Sequence, residues 1–579
     1  MKQYIKQHWF EYIYAAILTI VTAIVISLMF GYGFSTNDDA MLRNIVNGNY
    51  TGTPDAHLIY IMYPLGFILK CLYELTAEVF WYDLFMTGMH YVCWFMIMVR
   101  LGNLFQKKVD KIISVTLGLL GLIVIDLSYL VMHQYTILAA LLVSVAIFWL
   151  ITAKHTKGSV YWYEMAIVLV SLILSLWVRK QVFYLAMPPV CLAFALKAYL
   201  AHKDNGEKKV MMNKLVFIVI LSVLVLGSLG VEKVAYSSEE WKDFLAYNDA
   251  RTTIYDYYGI PAYSLHEGTY TDLGLDAGDW LAIDAYNSEL VYDLNLDKMQ
   301  VLAEKSEQIW MEGFQYTSIS RMMIYAVVNV FYHNPVQPIG IILTCLYIIT
   351  LLHCYKKDKK PEFVATIVLL LFQFAVVGYF SWQGRFLERV SYGFYFIQMM
   401  YLLGMILPYA KETEHAKKKS LHWCIIWGLV LVFLFGTTGL YQVRTTLDAK
   451  ERLNSKCEKW EAINDYFEQD TENFYCIDTK SFVFSSELMF VSDDIESSNM
   501  IRLGSWVQYS PLDEQHNNGV DNWLDKLVAG EGYYVQDAIK GMDWINYYLS
   551  QKGYTAEAKV VDTIVTADGT VYEVISLEQ

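Results

Sequence analysis

Apolar runs of about 20 residues, each closed by a polar or charged cluster, recur along the chain and set its organisation. They read Tyr12 to Phe34, Trp81 to Leu101, Ile112 to Val131, Tyr135 to Ala153, Val160 to Val178, Val182 to Leu200, Asn213 to Ala235, Pro338 to Cys354, Glu362 to Ser381, Arg389 to Pro408 and Leu421 to Tyr441, eleven expected spans. Leu58 to Leu75 is a different case. Its uninterrupted apolar part stops at Lys70 and Pro64 breaks its middle, so it predicts a helix in the membrane interface and not a crossing. Arg321 to His333 predicts a second interfacial helix.

Basic clusters orient these spans. Lys2 and Lys6, Lys107-Lys108 with Lys111, Lys154 with Lys157, Lys203 with Lys208-Lys209, Lys356-Lys357 with Lys359-Lys360, and Lys417-Lys418-Lys419 all fall on one side. Short cytoplasmic loops hold an excess of Lys and Arg, so the N-terminus is expected inside and the C-terminus outside. The first apolar run is too long for a typical signal peptide and no small-residue cleavage site follows, so it reads as a retained span.

The expected transmembrane module is 1–441, with a first external loop over 35–80 and a large external loop over 236–337. That large loop is rich in Asp, Glu and Tyr, and it carries too many aromatic residues for a disordered linker. The region 442–579 predicts a small extracytoplasmic α/β domain. Its signals are a helix through Glu458 to Phe467, strand-like Phe474 to Ile477 and Gly532 to Val535, a helix Asp543 to Gln551, and runs Lys559 to Val565 and Val571 to Ile575 around Asp568-Gly569.

Composition agrees with a polytopic membrane protein: 55% hydrophobic and 18% charged residues, mean hydropathy +0.31. The net charge of −15 is segregated along the chain, and nothing in it points to nucleic acid. Most of the eight cysteines lie in apolar runs as small buried hydrophobes; Cys457 and Cys476 lie in the polar C-terminal region, where pairing is left open.

Candidate chemistry gathers where the first span ends. Gly33-Phe34-Ser35-Thr36-Asn37-Asp38-Asp39 leads into two adjacent carboxylates, which lipid does not tolerate, so the pair is expected at the membrane–water boundary. Either acid suits the N-terminus of a following helix, and either suits a general base toward a hydroxyl or a ligand to a divalent cation. Asp55 and His57 in the same loop are candidate substrate contacts. Cations on that expected outer side run against the positive-inside trend: Arg179-Lys180 after the fifth span, and Arg385 with Arg389 between the ninth and tenth. They fit headgroup snorkelling or pairing with Glu388, and they fit bidentate binding of a phosphate. His133 and Gln134 sit in the turn between the third and fourth spans, where His133 reads as a solvated turn residue or as a group reaching the same cavity. Asp126, inside the third span, reads as a hydrogen-bonding partner of a neighbouring helix, and Asp256 with Tyr257 and Tyr258 as a sugar contact or a membrane-facing packing surface.

An N-terminal span, an acid pair just beyond it, a polar loop of about 20 residues, the Tyr63-Pro64-Leu65 element and a Trp/Tyr-led second span together resemble the C-type (GT-C) membrane glycosyltransferase superfamily. The likeness is to the branch of protein mannosyltransferases and lipid A aminoarabinose transferases, in which the acid pair is followed by His-Pro-Pro-Leu. Here Asp39 stands for the commoner Glu, and Met62 and Tyr63 replace the His and first Pro. The resemblance implies a polyprenyl-phosphate-linked sugar as donor, inverting single-displacement transfer to a cell-surface glycan, lipid or protein acceptor, Asp38 or Asp39 as base, and Arg179, Lys180, Arg385 and Arg389 on the donor phosphate. No cofactor is implied, and a divalent cation is left open. A non-catalytic lipid or glycan transporter, or a surface-polymer assembly factor, is the alternative; a conduit would want more charge inside the spans than Asp126 supplies.

Overall fold

The computed structural model describes residues 2–205, 208–314, 323–324, 327–328, 337–408, 421–470, 472–481, 487–491, 499–513 and 522–577. The expected interfacial helix Arg321 to His333 therefore falls outside the described residues except at four positions. Two compact units emerge: Met1–Asp39 with Ala56–Glu232 and Ile319–Lys450, and Ala40–Asp55 with Lys233–Ser318 and Glu451–Gln579.

The first unit is helical. Up to the large loop its helices are α1 (Lys2–Met29), α2 (Asn37–Asn47, shared with the second unit), α3 (Tyr63–Leu75), α4 (Trp81–Asn103), α5 (Lys108–Gly121), α6 (Leu127–Val131), α7 (Tyr135–Thr152), α8 (Gly158–Val178), α9 (Lys180–Asn205) and α10 (Lys208–Ala235). Nine helices among the described residues are long and apolar enough to cross a membrane, and they correspond to the first nine expected spans. The stretches expected as tenth and eleventh spans lie in the helix Glu388–Ile406 and in the first part of a 49-residue helix, Leu421–Gln469, which are not among these nine. α3 has only 13 residues, with Pro64 in its first turn where a missing N–H costs nothing, and is too short to cross. α1 and α10 expose Ile17, Ile20, Ile24, Leu215, Val223 and Leu226, an apolar surface that lipid and not water accommodates.

α7 is the centre of this unit, buried at every position. Glu388–Ile406 packs along it, with α8, α9 and α4 around the rest. Gly393 makes the close approach: a Cβ there would stand 2.7 Å from the Ala140 methyl, the small-residue contact by which apolar helices associate where no hydrophobic force drives them. At the far end of α7, Arg100 donates to Glu164 at 2.7 Å and to Thr152 at 2.6 Å, a buried charge pair whose Nη2 has no hydrogen-bond partner among the described residues. α5 continues through a π-helical turn, Leu122–Asp126, into α6. Asp126 is fully buried there and accepts from His90 (2.5 Å), Trp94 (2.5 Å) and Tyr392 (2.8 Å), the interhelical bonding its position in the sequence suggests.

The second unit holds a five-stranded sheet in the order β4-β3-β5-β7-β6, made of β3 (Tyr475–Asp478), β4 (Met500–Leu503), β5 (Tyr533–Asp537), β6 (Lys559–Val565) and β7 (Val571–Ser576). β4, β3 and β5 run parallel; β7 and β6 are antiparallel. Alternate residues feed two cores. Tyr475, Ile477, Val535 and Val574 face Trp460, Ile463 and Phe467 of the long helix. Cys476, Ile501, Tyr534 and Ile575 face the other way, into one core with Tyr247, Ile254, Tyr270, Ile283 and Leu302 of the large loop. The loop helices and the C-terminal sheet thus share a core, where the sequence suggests two separate lobes. The pairing left open by the sequence is absent here: Cys476 is buried within this core, and no disulfide joins it to Cys457.

Gly504 marks how closely these parts meet. Its φ of +83° suits glycine, its N–H donates to the Glu289 carboxylate at 2.9 Å, and an added Cβ would lie 2.0 Å from the Tyr286 carbonyl oxygen. Gly504→Ala is therefore expected to lower the thermal unfolding midpoint of the second unit markedly, since left-handed strain of about 1–2 kcal/mol adds to a forced backbone displacement. Gly541→Ala, at φ +67° with open space around it, carries the strain alone. Equal midpoints for the two variants contradict the packing described.

Candidate functional site

The candidate groups assemble at one end of the first unit, where α2 and α7 begin and α8 and α10 end. Backbone pairing sets the frame. β1 (Gly33–Phe34) runs parallel to β2 (Met132–His133), and the Ser35 N–H continues the pairing onto the His133 carbonyl at 2.8 Å. This short ladder turns the chain out of α1 and delivers Thr36 to the start of α2.

Asp39 follows three residues later and is fully buried. It accepts from the Thr36 hydroxyl (3.1 Å), the Tyr82 hydroxyl (3.2 Å) and the Tyr135 backbone N–H (3.3 Å). Thr36-x-x-Asp39 is the spacing of a helix-capping pair, legible in the sequence. Burial, and then the adjacent charge of Asp38, push the Asp39 carboxyl well above its usual range; the bonds from Thr36, Tyr82 and Tyr135 work against that shift. Asp38 is only half-buried.

Tyr135 joins this acid to a cation. Its ring stacks parallel to that of Tyr60, and the Arg179 guanidinium lies 5.1 Å from the Tyr135 ring centre and 5.2 Å from that of Tyr60. Arg179 Nη1 is buried and has no hydrogen-bond partner among the described residues. Tyr60 is held in reach because the Met62 N–H bonds the Trp177 carbonyl at 2.8 Å, strapping the loop to the end of α8. Beside it, Glu232 of α10 accepts the Tyr63 N–H at 2.7 Å, an acid at the N-terminus of α3, and stands 3.9 Å from the Lys180 ammonium. The His57 ring centre is 5.0 Å from that of Tyr63.

Asp38, Asp39, Arg179, Lys180, His57 and His133 thus all belong to the first unit around this frame. His133 corrects the solvated-turn expectation. It is fully buried, neither ring nitrogen has a hydrogen-bond partner among the described residues, and its ring lies 5.3 Å from that of His90. Burial first, and His90 second, hold its pKa well below the usual value, so the ring is neutral. Gln134 caps α7, accepting from Thr136 and Ile137. Arg385 and Arg389 are half-buried at the start of the helix Glu388–Ile406, where Glu388 accepts from Tyr129. Neither arginine is among the donors to Asp39. Asp55 and Asp256 belong to the second unit, Asp256 exposed in the π-helical turn Thr253–Tyr258. The residues that sequence reasoning passed over are Tyr60, Tyr82, Tyr135 and Glu232, aromatic or charged positions that carry no local pattern. Among the described residues no group of three His, Cys, Asp or Glu is arranged to hold a metal ion.

No family model and no curated protein matches the chain. Two solved structures of ArnT from Cupriavidus metallidurans are similar to it. One is bound to undecaprenyl phosphate, at 12% identity and a TM-score of 0.40; the other is in the apo state, at 13% and 0.41. Each comparison covers 96% of this chain and 97% of that one.

The burial of Asp39 sets a pH dependence. A carboxyl whose native pKa is raised stabilises the fold fully below its unfolded value, near 4, and that contribution is lost as pH rises through the native value. Asn at this position keeps an acceptor and cannot ionise. The unfolding midpoint of the wild type is therefore expected to fall relative to that of Asp39→Asn as pH rises above about 4; a gap that stays constant with pH contradicts the assignment.

Proposed function

We propose that the protein is an integral membrane glycosyltransferase that moves a sugar from a polyprenyl-phosphate donor to a hydroxyl-bearing acceptor on the outer side of the cytoplasmic membrane, with inversion and with its N-terminus in the cytoplasm. The observation that carries this reading is the link through Tyr135, whose backbone N–H bonds Asp39 while its ring backs Arg179. An acid pair and an underused guanidinium share one anchor, as a reaction between a hydroxyl and a lipid phosphate requires.

The two acids divide the work. Asp39, buried and held by three donors, fixes the start of α2; Asp38, half-buried beside it, takes the acceptor proton. The acceptor oxygen attacks the anomeric carbon, the carbon–oxygen bond to phosphate breaks, its electron pair goes to the phosphate oxygen, and the hydroxyl proton passes to Asp38. Charge builds on the leaving phosphate, so fixed cations lower the barrier more than an acid would. Arg179, whose buried Nη1 has no hydrogen-bond partner among the described residues, fills that role in this reading, and Lys180, Arg385 and Arg389 add to the field. A divalent cation would serve the same charge. His57 is the nearest candidate for a sugar contact, and the acceptor is a cell-surface glycan, lipid or protein.

The test is consumption of synthetic polyprenyl-phosphate sugars by the protein in liposomes. Asp38→Asn is expected to slow transfer by about 10²–10⁴-fold, the usual contribution of a general base, and Arg179→Ala by about 10²–10³-fold, both with normal insertion and unfolding. Donor consumption that survives both Asp38→Asn and Asp39→Asn overturns the site.

A further inference from the structure

We infer that the second unit carries a carbohydrate-binding cleft, independent of the transferase reading and built from the large loop and the C-terminal sheet region together. A cavity of about 460 Å³ opens between the turn before the helix Leu296–Phe314, the helix Ala277–Asp284, the helix Trp523–Val528 and the end of the helix Asp543–Gln551. That volume lies within the range of about 300–1,000 Å³ typical of small-molecule sites.

The lining selects the ligand class. Its two ammonium groups are already neutralised: Lys552 bridges Asp276 (3.0 Å) and Asp279 (2.6 Å), and Lys298 pairs with Asp293 at 3.2 Å. A phosphate or carboxylate would meet carboxylates and paired lysines, with no further cation in the lining among the described residues. A metal ion fares no better, since no group of three ligands converges among the described residues. What the cleft offers is oriented hydrogen-bonding edges beside aromatic faces. Asp525 is fixed at the wall by the Tyr554 hydroxyl at 2.6 Å, and Asn522 caps the helix that carries it. Tyr548 forms part of the floor, its hydroxyl spent on the Leu290 carbonyl at 2.6 Å. Tyr292 stands at the rim with 70% of its surface exposed, and the residue after it, Asp293, turns the chain at φ +55° without being a glycine.

A neutral pyranose matches this arrangement. Its hydroxyl rim suits carboxylate and amide edges, and its C–H face suits an exposed tyrosine ring. The ligand is therefore a neutral glycan, and the cleft is a holding site for saccharide.

The full-length protein in lipid nanodiscs is titrated with methyl β-glucoside, methyl β-N-acetylglucosaminide, cellobiose and chitobiose, reading saturation-transfer-difference NMR on the sugar ring protons. At least one probe is expected to bind saturably. Tyr292→Ala should weaken that binding by about tenfold, as loss of one stacking face does, and Asp525→Asn should weaken it as well, while the unfolding midpoint of Tyr292→Ala stays at the wild-type value because that side chain is mostly exposed. Absence of saturable binding by every probe, binding indifferent to both variants, or displacement of the sugar by inorganic phosphate overturns the assignment. Donor turnover does not enter the readout, so failure of the transferase reading and failure of this one are separate results.

Discussion

A buried carboxyl group is costly unless its oxygens are satisfied, and the end of the helical unit that carries the candidate site is arranged around that requirement at Asp39. Its three donors come from three places in the chain: the turn after the first span, the start of α4 and the start of α7. Satisfying one side chain therefore fixes three segments at once. The parallel bridge between β1 and β2 adds the backbone part of the same junction. Because α7 is buried along its whole length, this junction rests on a helix packed on every side, a suitable base for groups that must keep a fixed geometry.

Arg179 shows a second use of the same frame. It ends α8 and is held against aromatic faces and not against a carboxylate. Arginine paired with an acid has spent its charge; arginine resting on tyrosine rings keeps it. Arg100, at the other end of the same helices, also lies over an aromatic ring, 4.7 Å from that of Trp149, but it pairs with the Glu164 carboxylate and the Thr152 hydroxyl as well.

Much of the architecture was legible because lipid imposes a simple grammar. The nine long apolar helices, the short α3 that opens at Tyr63-Pro64, and the strands Lys559–Val565 and Val571–Ser576 follow from run length and alternation. Asp38, Asp39 and Arg179 were visible as charges where apolar runs end. The aromatic partners were not, since Tyr60, Tyr82 and Tyr135 look like any tyrosine near a membrane surface until the fold brings them together. The burial of His133 was not legible, because a histidine beside Gln134 in a short turn between two spans resembles a solvated group, whereas the pairing of Met132–His133 with Gly33–Phe34 and the ring of His90 enclose it. β4 was missed because Met500 to Leu503 is four residues long and mixes Arg502 with its apolar positions.

The shared core of the second unit bears on how the protein is made. Its inner face combines Tyr247 to Ala303 with strands that end at Ser576, so the loop helices leave the ribosome long before the sheet that covers them exists. Several membrane crossings must be synthesised and inserted in between. Throughout that interval residues such as Ile254, Tyr270 and Leu302 can pack only on one another's loop helices, without the strands around Tyr534 and Ile575 that complete their core. Such late, long-range closure is slow and leaves apolar surface open to misassociation. Synthesis of this chain thus includes an interval in which the large loop lacks part of its core, and loss of the strand Val571–Ser576 removes Ile575 from a core shared with a segment roughly 300 residues upstream.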